Sequence, residues 1–524
     1  MIQTDSFLRR KEAVSIKKKA GLLALSGVIL YALLLLLLLQ SERACPDANI
    51  RTFSDALWYS LVTLTTVGYG DLYPVSPIGR AIASFFLFLS AGLLASLLVF
   101  LFSILKEQLL PRLQLSYLRR KPCYLFSELN PLSLALAENL TASGHREAFL
   151  FCGADPETAD VSLPHAFRVP QELRTLAPSF SHPGSAAFLV SRNAAENYAL
   201  AAQLPLPVYC RGSEVAGLHA HFFDEASCAA RTYWQTFPLR HSEQVLCILG
   251  NGKLAEAVLE SALQVTCRLP FVPTCIHLFG DWTAFCRLHA TVLTAFSDRE
   301  EEDKDALCFH PEDWRSHLPL LASADRILLC DDAEEVNAET ASLLSRFCAV
   351  SGTVYAAASI PPVLGISFGG LAGALTAENV LQDTLDARAK LLHDLYCRRT
   401  GTQMSWESLS PFLKASNRAA ADSLATKLAL LLPEAQEVTP EACSRAYALW
   451  QASGRDAFRR NEHERWSRFY RYYNWQYGPE KNEQARTHPC LVPYDSLSPA
   501  EKEKDDSAWE QLGLLAEAKE ERAV

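Results

Sequence analysis

The 524-residue chain carries 49 Lys and Arg against 59 Asp and Glu, a formal net charge of −10 that argues against a nucleic-acid binder, which needs a basic face. Charged residues make up 21%, an ordinary share for soluble protein, so a membrane part must be a minor fraction of a chain long enough for roughly three or four domains. The 15 cysteines show no paired CxxC spacing and all but Cys45 lie beyond residue 105, which reads as reduced, buried thiols in a cytosolic body and not as a disulfide or zinc framework.

Residues 1–19 hold Arg9, Arg10, Lys11, Lys17, Lys18 and Lys19. Ala20 to Leu39 follows as about twenty apolar residues, near 30 Å as a helix, with no small-residue cleavage motif after it. It is expected to be a retained membrane helix, and its basic flank sets the N-terminus in the cytoplasm. Gln40 to Arg51 is a polar outer loop containing Cys45, the one thiol placed to meet an oxidising compartment. Phe53 to Leu64 is a short amphipathic apolar segment leading into Thr65-Thr66-Val67-Gly68-Tyr69-Gly70-Asp71, where two glycines alternate with large residues. A backbone that lines a narrow hole with its own carbonyls needs dihedrals that ordinary residues avoid, and Gly68 and Gly70 supply them. Ile78 to Leu105 is a second membrane helix of 28 residues, longer than a bilayer requires. Gly92 sits at its middle, either as a bend or as a small residue allowing close helix packing. Lys106, Arg112, Arg119, Arg120 and Lys121 return the chain to the cytoplasm, and no Arg-rich helix precedes the loop to serve as a voltage sensor.

The heptapeptide between two membrane-length apolar runs carries the residues of the potassium-channel signature, and residues 20–105 resemble that superfamily. The resemblance implies an all-α transmembrane tetrameric pore embedded in lipid. Its filter would be Thr66, Val67, Gly68, Tyr69 and Gly70, with Asp71 at the outer mouth. K⁺ would sit at Thr66, Val67, Gly68 and Tyr69, its hydration shell replaced by carbonyl oxygens and the Thr66 hydroxyl. Trp58 and Tyr59 would form an aromatic cuff around the filter; the commonest family form has two tryptophans there, so Tyr59 departs from it. Gly92 would be the gating hinge. The expected setting is a bacterial inner membrane, with both termini cytoplasmic.

After a linker, 106–121, a soluble body begins. Cys123 to Ser127 reads as a strand, Leu132 to Ala142 as a helix, and Ala148 to Cys152 as a second strand ending near Asp155. Strand, helix, strand and acid is the Rossmann rhythm. The turn Ser127-Glu128-Leu129-Asn130-Pro131-Leu132-Ser133 lacks every glycine of the nucleotide fingerprint, so no dinucleotide is expected on it. Ala186 to Val190 and Val208 to Tyr209 read as further strands. The rhythm restarts with Val245 to Leu249, the G-x-G-x-x-A turn Gly250-Asn251-Gly252-Lys253-Leu254-Ala255, a helix Leu254 to Gln264, and the strand Cys275 to Phe279 ending at Gly280-Asp281. Gly250, Asn251, Gly252 and Asp281 are thus candidates to bind a nucleotide, with an empty structural turn as the alternative. Arg326 to Cys330, followed by Asp331 and Asp332, reads as the acidic end of a fourth strand. The two lobes, 122–240 and 241–402, resemble RCK (TrkA-N-like) domains. Four chains of two lobes would bring the eight lobes of a gating ring. With Met1 and Met404 the only methionines, full-length chains alone are expected to build it.

The tail, 403–524, contains Ser416-Asn417-Arg418-Ala419-Ala420-Ala421-Asp422, His463-Glu464-Arg465-Trp466, Trp475-Gln476-Tyr477-Gly478-Pro479, Thr487-His488-Pro489 and a tract ending at Asp505. In order and spacing these resemble the ryanodine-receptor repeat, a small mainly α domain, with helices expected over Pro440 to Tyr473 and Pro499 to Leu515. Asn417, Arg418, His463, Trp466, Tyr477, Gly478, Thr487 and His488 offer aromatic planes and donors that suit a flat heterocycle such as adenine. They also suit the small domain's own core. The acidic run Asp298 to Asp305 lacks an EF-hand glycine and is expected to be a solvated loop. The reading that results is a homotetrameric potassium channel gated by a small regulatory ligand, an adenine-type nucleotide. The alternatives are a membrane-tethered nucleotide-binding enzyme and a non-conducting sensor protein. The first lacks a His-Asp or Cys-His pair at catalytic spacing after either turn, and neither explains a complete filter sequence.

Overall fold

The computed structural model describes residues 26, 29–105, 110–153, 163–296, 304–435 and 437–522. The basic N-terminal flank, Lys106, Asp155 and most of the run Asp298 to Asp305 lie outside them. The chain divides into two compact units, Met1–Tyr117 and Leu118–Val524.

In the first unit, residues 29–43 form a helix that runs past the expected end at Leu39. The reason lies at Glu42, which is fully buried: its carboxylate accepts from the Val75 amide at 2.9 Å, the Ser76 amide at 3.0 Å and the Ser76 hydroxyl at 2.5 Å. A buried carboxylate needs such donors, and they tie this helix to the start of the next. The helix Phe53–Leu64 opens on a capping box between Thr52 and Asp55. The inner helix Pro77–Ile104 opens on Ser76 with proline in its first turn, and runs through Gly92 without a break. Among the described residues it is the one helix long and apolar enough to cross a membrane. Leu35, Leu38, Ile50, Ala56, Ile82 and Phe86 form the core of this unit.

The second unit holds two parallel six-stranded sheets. The first comprises β1 (Cys123–Phe126), β2 (Ala148–Cys152), β3 (Ala166–Val169), β4 (Ala186–Leu189), β5 (Val208–Arg211) and β6 (His221–Phe223), ordered 3-2-1-4-5-6. The second comprises β7 (Val245–Leu249), β8 (Cys275–Phe279), β9 (Ala306–His310), β10 (Arg326–Leu329), β11 (Thr353–Ala356) and β12 (Ile366–Ser367), in the same relative order. This is the doubly wound Rossmann order. The continuous apolar runs of β1, β2 and β4 are buried throughout, as a sheet covered on both faces requires.

The two lobes exchange pieces. The helix Glu225–Thr236 follows the last strand of the first lobe but packs on Lys253–Val265 of the second, where the Trp234 indole donates to the Val258 carbonyl at 3.2 Å. Arg326, fully buried on β10, reaches the Tyr233 hydroxyl at 3.0 Å and Glu243 at 2.7 Å. In return Leu375, Ala377 and Val380, from beyond β12, enter the core of the first lobe, and the Asn139 amide donates to the Ala372 and Leu375 carbonyls at 3.0 and 2.9 Å. A boundary at residue 240 divides the chain but not the cores.

The tail is helical. The single helix expected over Pro440 to Tyr473 is instead two, Pro440–Ala452 and Arg455–Tyr472, because Ser453 is extended and Gly454 starts the second. The helix expected over Pro499 to Leu515 also divides, into Pro499–Lys504 and Asp506–Arg522. Asp506, at the start of the latter, accepts from Arg459 at 2.8 and 2.7 Å. Between the pairs, β13 (Gln476–Tyr477) and β14 (Thr487–His488) form a short ribbon.

Candidate functional site

The loop over residues 65–71 turns tightly on the end of the helix Phe53–Leu64. The Thr65 amide donates to the Leu61 carbonyl at 2.9 Å, and the Val67 and Gly68 amides share the Val62 carbonyl at 3.0 and 3.2 Å. Beyond it, Thr66, Gly68 and Gly70 have φ of 59°, 59° and 73°, alternating with Val67 and Tyr69. Alternation of left-handed with ordinary backbone is what a strand needs to turn successive carbonyls to one side, and at two of the three positions glycine supplies it without steric penalty. The outer end is braced by Trp58: its indole donates to Asp71 Oδ2 at 2.8 Å, and its ring stacks on Tyr69 at 6.1 Å and 4°. Asn49 adds a second tie, donating to the Asp71 carbonyl and accepting from the Tyr73 amide, both at 3.3 Å. Of the two expected cuff aromatics, Trp58 therefore holds the loop, whereas Tyr59 packs on the helix core. Around Gly92 an added Cβ would meet nothing within 4 Å of the same chain.

Both Rossmann turns are closed by the chain itself. At the first, Asn130 accepts from the Ser133 amide at 2.8 Å and Ser133 Oγ from the Asn130 amide at 2.9 Å, with Pro131 opening the helix. At the second, Gly250 has φ of 129°, and a Cβ there would lie 2.8 Å from the Cys330 carbonyl, so the turn does need its glycine. The helix N-terminus beyond it, where a pyrophosphate would sit, holds the Asp332 carboxylate. Its oxygens accept from the Lys253 amide at 3.2 Å and the Leu254 amide at 2.9 Å, and a Cβ on Gly252 would lie 2.5 Å from its carboxyl carbon. Asp281 is exposed and turned to the Thr283 amide at 2.9 Å, while its carbonyl accepts from Asn251 at 3.3 Å. As the turn stands, a pyrophosphate does not fit: its donors are taken and a carboxylate occupies its place.

The residues proposed for the tail pocket divide into separate places. His463, Trp466 and His488 meet, with Trp466 at 5.9 Å from His463 and 4.9 Å from His488, and Tyr470 joins them at 4.3 Å from Trp466. His463 is buried and its Nε2–H donates to the Val492 carbonyl at 2.8 Å. These rings cover one another, as a small domain's core does. Thr487 and Gly478 pack on each other in the ribbon, where Tyr477 is 61% exposed. Asn417 and Arg418 lie apart on the helix Pro411–Asp422, with Asn417 donating to its own helix at Leu413. Arg418 pairs with Asp386 at 2.5 Å and with Glu214 at 3.6 Å. Asp386 also binds Arg231 at 2.6 Å; burial pushes its carboxyl up, but Arg231 and Arg418 outweigh that and hold it at about 2. Arg418, Arg231, Trp234, Glu260, Tyr472 and Tyr473 line a cavity of about 150 Å³ between tail and second lobe.

Sequence reasoning missed how the tail is fastened. The helix Arg455–Tyr472 docks on the second lobe through buried charges: Arg468 on Asp305 at 2.5 Å, Arg465 on Gln264 at 3.1 Å, and Asn461 on the Cys267 and Leu269 carbonyls at 3.1 and 2.8 Å. Beside it Glu462 binds Arg465 at 2.5 Å and Lys427 at 2.8 Å, all three sealed from solvent. Asp505, next to this cluster, has a buried oxygen without a hydrogen bond, and burial, then repulsion by Glu462, pushes its pKa up to about 8. Since the folded value lies above the unfolded one, the stability due to this group is present below about pH 4 and is lost as pH rises through about 8. Asp505→Asn is therefore expected to stabilise the fold above pH 8 by on the order of a few kcal/mol, seen as a higher melting temperature, and to change little near pH 4. A melting series across pH on both proteins checks it; equal losses at high pH would contradict it.

Residues 21–107 match the model of the ion channel family and residues 450–517 that of the RyR domain. Among curated relatives, a voltage-gated potassium channel of Aeropyrum pernix is 54% identical over 37 residues, 7% of this chain and 12% of the relative. A calcium-gated potassium channel of Thermoplasma volcanium is 39% identical over 57 residues, 11% of this chain and 16% of the relative. The matched segments thus span less than a fifth of these relatives' own length. Among solved structures, GsuK bound to ADP is 13% identical at a TM-score of 0.36, covering 69% of this chain and 97% of that one. The GsuK channel bound to NAD is 12% identical at 0.37, covering 70% and 85%. Residues 21–107 thus form an ion-channel domain and residues 450–517 a RyR domain, with two Rossmann-like lobes between them.

Proposed function

We infer that four copies of this chain assemble in a membrane as a potassium-selective channel, each contributing Thr66 to Gly70 to one axial filter. The observation that carries this reading is the alternating backbone of Thr66, Gly68 and Gly70, braced by Trp58 on Asp71 and Tyr69. K⁺ exchanges its water shell for carbonyl oxygens and the Thr66 hydroxyl and moves down its gradient. No bond is made or broken, so the chain acts as a channel and not as an enzyme. Both termini are cytoplasmic in this reading, in a bacterial inner membrane, and the Rossmann-like lobes of four chains form the gating ring.

A regulatory ligand shifts the open fraction only by the ratio of its affinities for the open and closed ring. The ligand class we assign is an adenine-type nucleotide. With the second Rossmann turn filled by Asp332, the tail is the favoured place. The recess beside Arg418, at about 150 Å³, takes a heterocyclic base but not a whole nucleotide, whose pockets start near roughly 300 Å³. The test is K⁺ efflux from liposomes holding the full-length chain, with ATP, ADP, NAD and a cyclic nucleotide added in turn. A several-fold change with one of them is the expected result. Efflux that none of them alters would contradict the nucleotide, and absence of efflux would contradict the channel. Truncating the tail is a poor substitute, because it would strip Asp305 and Gln264 of Arg468 and Arg465.

A further inference from the structure

The outer edge of the second lobe gathers side chains that neither the filter nor the Rossmann turns use. β8 and β9 are parallel with Cys275 opposite Ala306, His277 opposite Cys308 and Phe279 opposite His310, and β9 is the edge strand. Alternate residues of a strand share a face, so Cys275 and His277 of one strand and Cys308 and His310 of the next stand together. Cys275 Sγ lies 3.2 Å from His277 Nε2 and 3.9 Å from Cys308 Sγ, and the three ligand atoms all fall within 4.8 Å of one another. Those separations match the edges of a tetrahedron around an ion bound at about 2.3 Å to sulfur and 2.0 Å to nitrogen. The other nitrogen of His277 is 2.9 Å from His310 Nε2, and the two rings lie 5.1 Å apart at 25°. A ligating histidine is normally fixed by such a hydrogen bond at its far nitrogen.

We propose that Cys275 Sγ, Cys308 Sγ and His277 Nε2 bind a zinc ion that clamps edge strand β9 to β8. Two thiolates and an imidazole are the donor set that selects zinc over magnesium or calcium, which take oxygen ligands. Binding displaces the two thiol protons to solvent, and each sulfur then gives an electron pair to the metal. His310 is a positioning residue: turned to His277 Nδ1, it sets which nitrogen faces the ion. Three protein ligands leave a fourth position for water. Neither thiol is engaged in a disulfide.

The test uses the full-length chain, reduced, stripped of metal by a chelator and titrated with Co²⁺ as the spectroscopic probe. One Co²⁺ per chain is expected, with a thiolate-to-cobalt charge-transfer band and tetrahedral d–d bands that Zn²⁺ abolishes by displacement. Cys275→Ser and His277→Gln should lose the charge-transfer band, and His310→Gln should keep it with affinity weakened by about 10–100-fold. Cys397→Ser, at a thiol 3.6 Å from His393, should change nothing. Should a variant not fold, the wild-type chain decides alone: Zn²⁺ is expected to slow alkylation of Cys275 and Cys308 but not of Cys397. No thiolate band at stoichiometric Co²⁺, an unchanged band in Cys275→Ser, equal alkylation with and without Zn²⁺, or a Cys275–Cys308 disulfide in the reduced preparation would each overturn the proposal.

Discussion

Gly68→Asp is expected to reduce K⁺ flux to that of empty liposomes while leaving the chain assembled in the membrane. The backbone at this position has φ of +59°, where an L side chain is strained by about 1–2 kcal/mol. The larger effect is electrostatic and steric. A carboxylate in each subunit would stand where the filter needs unobstructed carbonyls, and the Val62 carbonyl that now holds the Gly68 amide would have to accommodate the shifted chain. Crosslinking should show the same oligomer as wild type. Flux through the variant at the wild-type rate would mean that ions do not pass by this loop.

Glu462→Gln should destabilise the second unit by about 3–5 kcal/mol, because it leaves Lys427 and Arg465 as buried cations without their shared carboxylate. Burial pushes the Glu462 carboxyl up, yet attraction to Arg465 and Lys427 prevails and holds it at about 2. The folded value lies below the unfolded one, so this contribution is complete above about pH 4.5 and is lost as pH falls through about 2. Hydrogen exchange in the full-length chain is the sharper readout. Amides of Arg455–Tyr472 should exchange much faster in the variant, while those of β1 and β2 keep their protection. Equal protection of that helix in both proteins would show that the cluster does not hold the tail to the second lobe.

Much of the fold was legible because its signals are local. β2, β7 and β8 run over the residues expected from their apolar runs, and β1, β4, β5 and β10 differ by a residue or two at their ends, whereas β3, β6, β9, β11 and β12 carried no expectation. Gly68, Gly70 and Gly250 all take the positive φ that their place in a turn suggests. What could not be read depends on partners distant in sequence. Asp332 lies 79 residues from Lys253, and only the folded sheet brings its carboxylate to the helix that the glycine turn advertises. The helix Glu225–Thr236 has the amphipathic pattern of any crossover helix, and nothing in it says which of two cores it joins. Arg465 and Arg468 read as solvated charges on a polar helix until Gln264 and Asp305 are seen opposite them. The cysteines were judged by CxxC spacing, which suits a loop. On strands the period is two, and the repeated Cys-x-His of Cys275-His277 and Cys308-His310 was the signal to seek.

Selective conduction is read from the reversal potential. The purified full-length chain is reconstituted in a planar bilayer with K⁺ on one side and Na⁺ on the other. The expected current reverses far toward the K⁺ equilibrium potential, and Gly68→Asp is expected to pass no such current. A current reversing near zero, or one that persists unchanged in Gly68→Asp, would contradict K⁺-selective conduction through this loop.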